Sequence, residues 1–82
     1  MSEISRFYGI VITMYFREHN PPHFHVRYNE MEAEFDIIEG AFIKGKIPTT
    51  QARIVLAWHS LHKDELLEMW NSKEYHRIKP ID

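Results

Sequence analysis

The segment "HFHVRYNEMEAEFDI", residues 23–37, alternates polar and apolar side chains with period two on both sides of Asn29-Glu30. Because successive side chains on a β-strand point to opposite faces, this pattern is typical of a hairpin with one buried face. A turn at Asn29-Glu30 gives six cross-strand pairs: Tyr28 with Met31, Arg27 with Glu32, Val26 with Ala33, His25 with Glu34, Phe24 with Phe35, and His23 with Asp36. The apolar members then share the face that belongs to the core.

The polar face of this hairpin is the first candidate for a functional site. It carries His23, His25 and Arg27 on one strand, opposite Asp36, Glu34 and Glu32 on the other. Directly opposed residues have Cβ atoms ~4.5–5.5 Å apart, so each imidazole is expected to meet a carboxylate. A three-residue loop in place of the expected turn would shift the register and remove this match.

The residues before the hairpin predict two further β-runs, broken near Tyr8-Gly9, because "ISRFYGIVITMYF" is rich in β-branched and aromatic side chains. Asn20-Pro21-Pro22 predicts an extended turn, since proline restricts the residue before it and cannot donate a backbone hydrogen bond. After the hairpin, one short edge strand is expected around residues 42–43. Strands are therefore expected at about residues 4–40, with this edge strand following.

One long helix is predicted from about residue 50 to 71, because no glycine or proline interrupts Gln51–Asn71 and Thr49 or Thr50 can serve as N-cap. Apolar and histidine side chains recur along it at three- and four-residue steps and predict the face that packs on the sheet. They are Ala52, Val55, Leu56, His59, His62, Leu66, Leu67 and Trp70. Trp58 lies off this stripe and is either a core anchor or an exposed interface residue. The tail, residues 75–82, is expected to run extended along the body.

These elements predict an α+β fold: a small, mainly antiparallel sheet of four to five strands with one long C-terminal helix packed across it. With 82 residues, we expect a single domain spanning 1–82. The absence of cysteine favours a reducing, cytoplasmic location, and no apolar run approaches the ~20 residues of a membrane span. A net charge of −2 does not indicate nucleic-acid binding, although basic residues cluster between 41 and 63 and leave it possible.

Several stretches together resemble the domain-of-unknown-function 4160 family of small, uncharacterised bacterial proteins. They are "HNPPHFHVRY", the acidic strand after it, "AWHSLHKDELLEMW" and the closing "IKPI", so the resemblance covers about residues 4–81. Asn29 stands where the family often has glycine in the hairpin turn. The resemblance implies no catalytic residue. It implies a small protein partner encoded by a neighbouring gene, of the domain-of-unknown-function 2442 family, in a toxin–antitoxin-like pair.

The histidine-rich face leaves three interpretations open. The simplest is a solvated strand face with cross-strand charge pairs. The second is a metal site in which His23 and His25 are joined by His19 and by Glu34 or Asp36. The third is a metal-independent ribonuclease that uses His23 and His25 as acid and base and Arg27 as the cation.

We expect no bound metal and no other cofactor, because the opposed carboxylates satisfy the imidazoles. Candidate binding residues are His19, Asn20, Glu34, Asp36, His59 and His62, although a histidine on a helix is usually a packing residue. The function expected from the sequence is a protein-interaction component of a two-gene module, with a metal-independent ribonuclease-type toxin as the first alternative and a His-rich metal-binding domain as the second. The oligomeric state is left open.

Overall fold

A computed structural model describes residues 2–15 and 17–81 of the chain. Five antiparallel strands form one sheet in the order of the sequence, and a long helix follows them. The elements are β1 (Ser2–Phe7), β2 (Ile10–Met14), β3 (His23–Tyr28), β4 (Met31–Asp36), β5 (Ala41–Gly45) and α1 (Thr49–Ser72). The predicted α+β fold is confirmed.

The hairpin of β3 and β4 has the register that the alternation predicts. All six expected pairs are present, from Tyr28 opposite Met31 to His23 opposite Asp36. Asn29 adopts a positive φ of 54°, which asparagine tolerates better than most residues, so the turn forms without glycine. Burial of Phe24 and Phe35 on the same face, with their rings stacked at a centroid distance of 4.9 Å, fixes the register against a one-residue slip.

The core lies between one face of the sheet and α1. Its largest fully buried side chain is Trp58, whose ring contacts Phe7 and Phe24. The prediction that Leu56 is buried is wrong, since 42% of this residue is exposed. The inward face of α1 is rotated towards Trp58 and Met69, because burying an indole ring removes more apolar surface from water than burying a leucine. Trp58 is therefore a core anchor rather than an exposed interface residue.

The two ends of α1 are stabilised by the backbone rather than by side chains. The N-cap is Pro48, and no side chain caps the first turn, so the prediction that Thr49 or Thr50 is the N-cap is wrong. Lys73 ends the helix in the left-handed conformation, and its N–H donates to the carbonyl of Met69. No helix in the described part of the chain combines the length and hydrophobicity that a membrane span requires.

After α1, residues 73–81 have no regular secondary structure, and part of this tail lies along β1. The Ile78 N–H donates to the Ile4 carbonyl at 2.8 Å, and the Ile78 side chain is buried. The Trp58 indole N–H donates to the carbonyl of Lys79 at 3.0 Å. The tail therefore lies along the β1 edge of the sheet. Among the described residues, no helix covers the face of the sheet that points away from α1.

Candidate functional site

A cluster of one carboxylate and two imidazoles lies where the start of β3 meets the loop before it. The Nε2 atom of His23 is 3.0 Å from the Oε1 atom of Glu18, and the Nε2 atom of His25 contacts the same oxygen. Glu18, His23 and His25 each offer one ligand atom, and these three atoms lie within 4.8 Å of one another. We call these three side chains the Glu18 cluster.

The loop between β2 and β3 carries Glu18 back over the strand. The Asn20–Pro21 peptide bond is cis, and the Ile37 N–H donates to the carbonyl of Pro22 at 2.9 Å, which attaches the end of the loop to the chain after β4. The Trp70 indole N–H donates to the Asn20 side-chain oxygen at 3.1 Å. The loop is thus tied to the sheet at one point and to the end of α1 at another.

The orientation of the His23 ring is fixed by a second hydrogen bond. Its Nδ1 atom is 2.7 Å from the Pro21 carbonyl oxygen, and because a carbonyl can only accept, Nδ1 carries the proton. A neutral His23 ring then presents the lone pair of Nε2 to the carboxylate of Glu18. Two lone pairs at this distance repel, so the contact requires a positive species there, either a second proton on the ring or a cation between the two atoms.

The electrostatics of Glu18 follow from its two histidine neighbours. Partial burial raises the pKa of Glu18, but hydrogen bonds from His25 and His23 and their positive charge outweigh it, so the pKa lies below the ordinary value. Tyr75 in the tail lies close enough for its hydroxyl to interact electrostatically with this carboxylate. Burial and the negative charge of Glu18 raise the pKa of the Tyr75 hydroxyl, which donates to the Tyr15 carbonyl at 3.0 Å.

The Glu18 cluster is reached from the open side of the sheet. His23 is buried beneath the Trp70 ring, with ring centroids 5.2 Å apart, whereas the side chains of Glu18 and His25 are 35% and 26% exposed. His25 also lines two neighbouring hollows on the open face, one towards Tyr15 and Arg27 and one towards Glu34 and Lys44. An external molecule can therefore reach the side chains of Glu18 and His25.

The carboxylates opposite the two histidines have other partners. Asp36 accepts a hydrogen bond from the N–H of Glu39 at 2.8 Å and so stabilises the turn after β4. Glu34 lies 3.8 Å from Nε2 of His23 and 4.0 Å from Nζ of Lys44, at the margin of the cluster. The expectation that Asp36 and Glu34 satisfy His23 and His25 is therefore wrong, because the loop places Glu18 closer to both rings.

The remaining predicted site residues do not join the cluster. Arg27 is exposed and lines the hollow beside His25. His19 is exposed and lines another hollow with Glu18, Trp70 and Lys73, but it offers no ligand atom to the cluster. Asn20 binds Trp70 and so positions the loop. His59 is buried in the core, where its Nε2–H donates to the Ile37 carbonyl at 2.7 Å.

His62 lies elsewhere, against the Trp58 ring at a centroid distance of 5.4 Å and 3.7 Å from the carboxylate of Glu65. The oxygen on the other side of that carboxylate is 3.5 Å from His76. This second group joins the tail to α1, and it does not converge on one point as the Glu18 cluster does. His62 is thus separate from the candidate site.

Sequence reasoning missed Glu18 because it searched for partners across the hairpin rather than along the loop. The signal that could have found it is the spacing of Glu18, His23 and His25 around "NPP". Two histidines at positions i and i+2 project from one strand face, and a proline-rich turn can return a carboxylate five residues earlier to that same face.

Comparison with known families gives one match. The family model described as "Domain of unknown function (DUF4160)" matches residues 9–71, which is more than half of the chain but shorter than the 4–81 stretch that the resemblance suggested. The matched range includes all of the Glu18 cluster and both tryptophans, and it excludes β1 and the tail. No match was found among curated proteins or among solved structures.

Proposed function

The chain belongs to the domain-of-unknown-function 4160 family, and we propose that this member binds a divalent first-row transition-metal ion through the Glu18 cluster. One observation carries the proposal. The Nε2 atoms of His23 and His25 converge on a single oxygen of Glu18, while the other nitrogen of His23 is held by the Pro21 carbonyl. Metal-binding histidines commonly donate their second N–H to such a carbonyl, which orients the ring towards the ion.

The spacing of the three ligand atoms supports the proposal. Two atoms that each bind zinc at about 2.1 Å lie about 3.4 Å apart in a tetrahedral shell. The corresponding atoms of the Glu18 cluster lie within 4.8 Å of one another, and the Glu18–His23 separation is 3.0 Å. Small side-chain rotations therefore suffice to place an ion between them, and that ion supplies the positive charge that the His23–Glu18 contact requires.

The ligand set also indicates which ions fit. Imidazole nitrogen favours zinc, iron, nickel and copper over magnesium and calcium, which prefer oxygen. Three protein ligands leave at least one coordination position free for water or for an external molecule. Such an ion supplies Lewis acidity and activates its bound water, and the exposed sides of Glu18 and His25 face the solvent from which that molecule comes.

The alternative of a metal-independent ribonuclease has less support from the same geometry. General acid–base catalysis on a phosphodiester needs two groups that flank the phosphate, yet both Nε2 atoms face one carboxylate oxygen instead of a gap between them. Glu18 and Glu34 place negative charge where the phosphate would lie. Arg27, the cation in that hypothesis, is exposed and forms no ion pair among the described residues.

The small protein partner that the resemblance implies is a separate proposal, supported by the outer edge of β5. Within the described residues this strand pairs only with β4, and Ile43 in it is 47% exposed, so a strand of another protein can pair with the free edge. Co-expression with the product of the neighbouring gene tests it, since Ile43→Lys should then prevent co-purification. A role in a toxin–antitoxin pair has no support in the fold, in the site or in the family match.

The metal proposal is tested with protein purified without a histidine tag and stripped with a chelator. Calorimetric titration of the wild-type protein with zinc should show one ion per chain. Glu18→Gln and His25→Ala each remove one ligand, so the zinc affinity of either variant should be lower by about 10- to 100-fold or more. His76→Ala is the matched control, because this exposed histidine contacts Glu65 and lies outside the cluster. No binding of zinc, iron(II) or nickel by the wild-type protein, or equal affinity in the three variants, would refute the proposal.

A further inference from the structure

The outer face of α1, on the far side of the helix from the sheet, carries a self-complementary pattern. Arg53, Ala57, Ser60 and Asp64 follow one another at steps of four, three and four residues, which places them in a single line along an α-helix, and all four are exposed. Leu56 and Leu61 lie on the two sides of this line and are 42% and 68% exposed. Leu61 is the most exposed of the large apolar side chains in the described residues.

Charge is left unpaired at both ends of the line. Arg53 and Asp64 form no ion pair within the described part of the chain, although Arg6, Lys44 and Arg77 do. The middle of the line consists of the small side chains of Ala57 and Ser60, which allow a second helix to approach closely. An exposed leucine lies on each side of this line, and its burial against a second helix would remove apolar surface from water.

We propose that two copies of this chain pair through the outer faces of their α1 helices, antiparallel and about a twofold axis. If the axis passes between positions 58 and 59, Ala57 of each copy faces Ser60 of the other. Arg53 of each copy then faces Asp64 of the other, because positions 53 and 64 are centred on the same point of the helix as positions 57 and 60. A twofold interface requires such self-complementarity, and opposite charges at the two ends specify the antiparallel orientation.

The leucines complete the interface. A twofold axis perpendicular to both helices keeps each flank on its own side, so the Leu56 side chains of both copies lie on one flank and the Leu61 side chains of both copies lie on the other. Lys63, seven residues after Leu56 on the same flank, donates to the Ile38 carbonyl at 3.0 Å, which places the 49%-exposed Ile38 beside that flank. Apolar contact therefore extends from α1 onto the turn after β4.

The surface is small, so the dimer is expected to be concentration-dependent. At about 1.5 Å of rise per residue, the stretch from Arg53 to Asp64 spans about 16 Å, which suits a weak interface rather than a permanent one. The proposal does not depend on the metal site, because no residue of the Glu18 cluster belongs to α1.

Sedimentation velocity from about 10 μM to about 1 mM tests the proposal, with wild-type protein changing from monomer to dimer over that range. Leu61→Glu should abolish the dimer. Arg53→Asp and Asp64→Arg should each weaken it about tenfold or more, since each reversal turns two attractive contacts into two repulsive ones, and the Arg53→Asp/Asp64→Arg double variant should restore it. Lys46→Asp, an exposed charge reversal in the connection between β5 and α1, is the control and should leave association unchanged.

The substitutions lie on exposed positions, and thermal unfolding in dilute solution verifies that each variant folds. A wild-type protein that stays monomeric at about 1 mM would overturn the proposal, and the face would then belong to a different protein or to solvent. Persistence of the dimer in both Leu61→Glu and the single charge reversals would overturn it equally, because association would then use another surface.

Discussion

The Nε2 atom of His23 lies 3.0 Å from the Oε1 atom of Glu18, a residue that belongs to neither strand of the hairpin. The Pro21 carbonyl holds the opposite side of the same imidazole at 2.7 Å. The ring is therefore placed between a fixed acceptor and a carboxylate, and the loop before β3 supplies both. This arrangement, rather than the charge pairs across the hairpin, gives the histidine-rich face its chemical character.

Metal binding should raise the stability of the folded chain. An ion that binds the native but not the unfolded state stabilises by about 2.7 kcal/mol at a free concentration of 100 times its dissociation constant. Zinc should therefore raise the melting temperature of the wild-type protein and raise that of Glu18→Gln much less, because this variant binds the ion more weakly. Scanning calorimetry with and without zinc measures this, and the gain should diminish as pH falls from about 8 to about 5, since protons compete for the imidazoles. An equal gain in both proteins would place the ion elsewhere.

Acid should unfold the wild-type protein partly through Glu18. The pKa of this carboxyl is lowered from its ordinary value of 4.5 in the folded state, so its contribution to stability is fully present above that value and is lost as pH falls through the lower, folded pKa. Glu18→Gln removes this contribution, and its stability should change less over the same acidic range. Urea unfolding between about pH 5 and about pH 3 in metal-free buffer compares the two proteins. Parallel curves would show that the histidines do not stabilise the Glu18 charge.

Trp70 should be much more important for stability than Leu56, although both recur on the stripe that the sequence indicates. Trp70 is buried on the His23 ring and its indole binds Asn20, so Trp70→Ala should cost about 3–5 kcal/mol. Leu56 is largely in solvent, and Leu56→Ala should change stability by no more than about 0.5 kcal/mol in dilute solution. Chemical denaturation measures both. Similar losses for the two variants would contradict the orientation of α1.

Gly40 and His59 should be energetically coupled. Gly40 has a φ of +69°, and a Cβ there would lie 3.2 Å from Cε1 of His59, so Gly40→Ala suffers both backbone strain and a close contact. His59→Ala leaves the Ile37 carbonyl without its donor, at a cost of about 1–3 kcal/mol. In the double variant the hydrogen bond to Ile37 is still lost and the backbone strain at position 40 persists, but the close contact is absent. The combined loss of stability should therefore be smaller than the sum of the single losses. A double-mutant cycle by urea denaturation that gave strict additivity would refute the contact.

Local pattern was sufficient for the sheet and for the length of the helix. The alternation around Asn29-Glu30 excludes a one-residue slip, which would separate Phe24 and Val26 from Phe35, and the observed pairs keep these three side chains on one face. The uninterrupted segment after Pro48 forms one helix, because neither glycine nor proline breaks it before its end. These features depend on residues close together in the chain.

The rotation of α1 about its own axis could not be read from spacing. Apolar residues lie around much of the helix, and the choice between Leu56 and Trp58 for the interior depends on the shape of the sheet below. Packing places Trp58 in the interior, because its ring contacts Phe7 and Phe24 and its N–H donates to the Lys79 carbonyl in the tail. This orientation of α1 leaves Leu56 and Leu61 at the surface.

The sequence by itself determined that His23 and His25 share one face of a strand, because side chains at i and i+2 must do so. Only the tertiary structure decided which carboxylate meets them. Asp36 and Glu34 stand opposite in register, yet the loop, held by the Ile37–Pro22 and Trp70–Asn20 hydrogen bonds, places Glu18 nearer. Loop conformation depends on contacts with residues far away in the chain, here with α1 some fifty positions later, so the spacing of Glu18, His23 and His25 allows their contact without determining it.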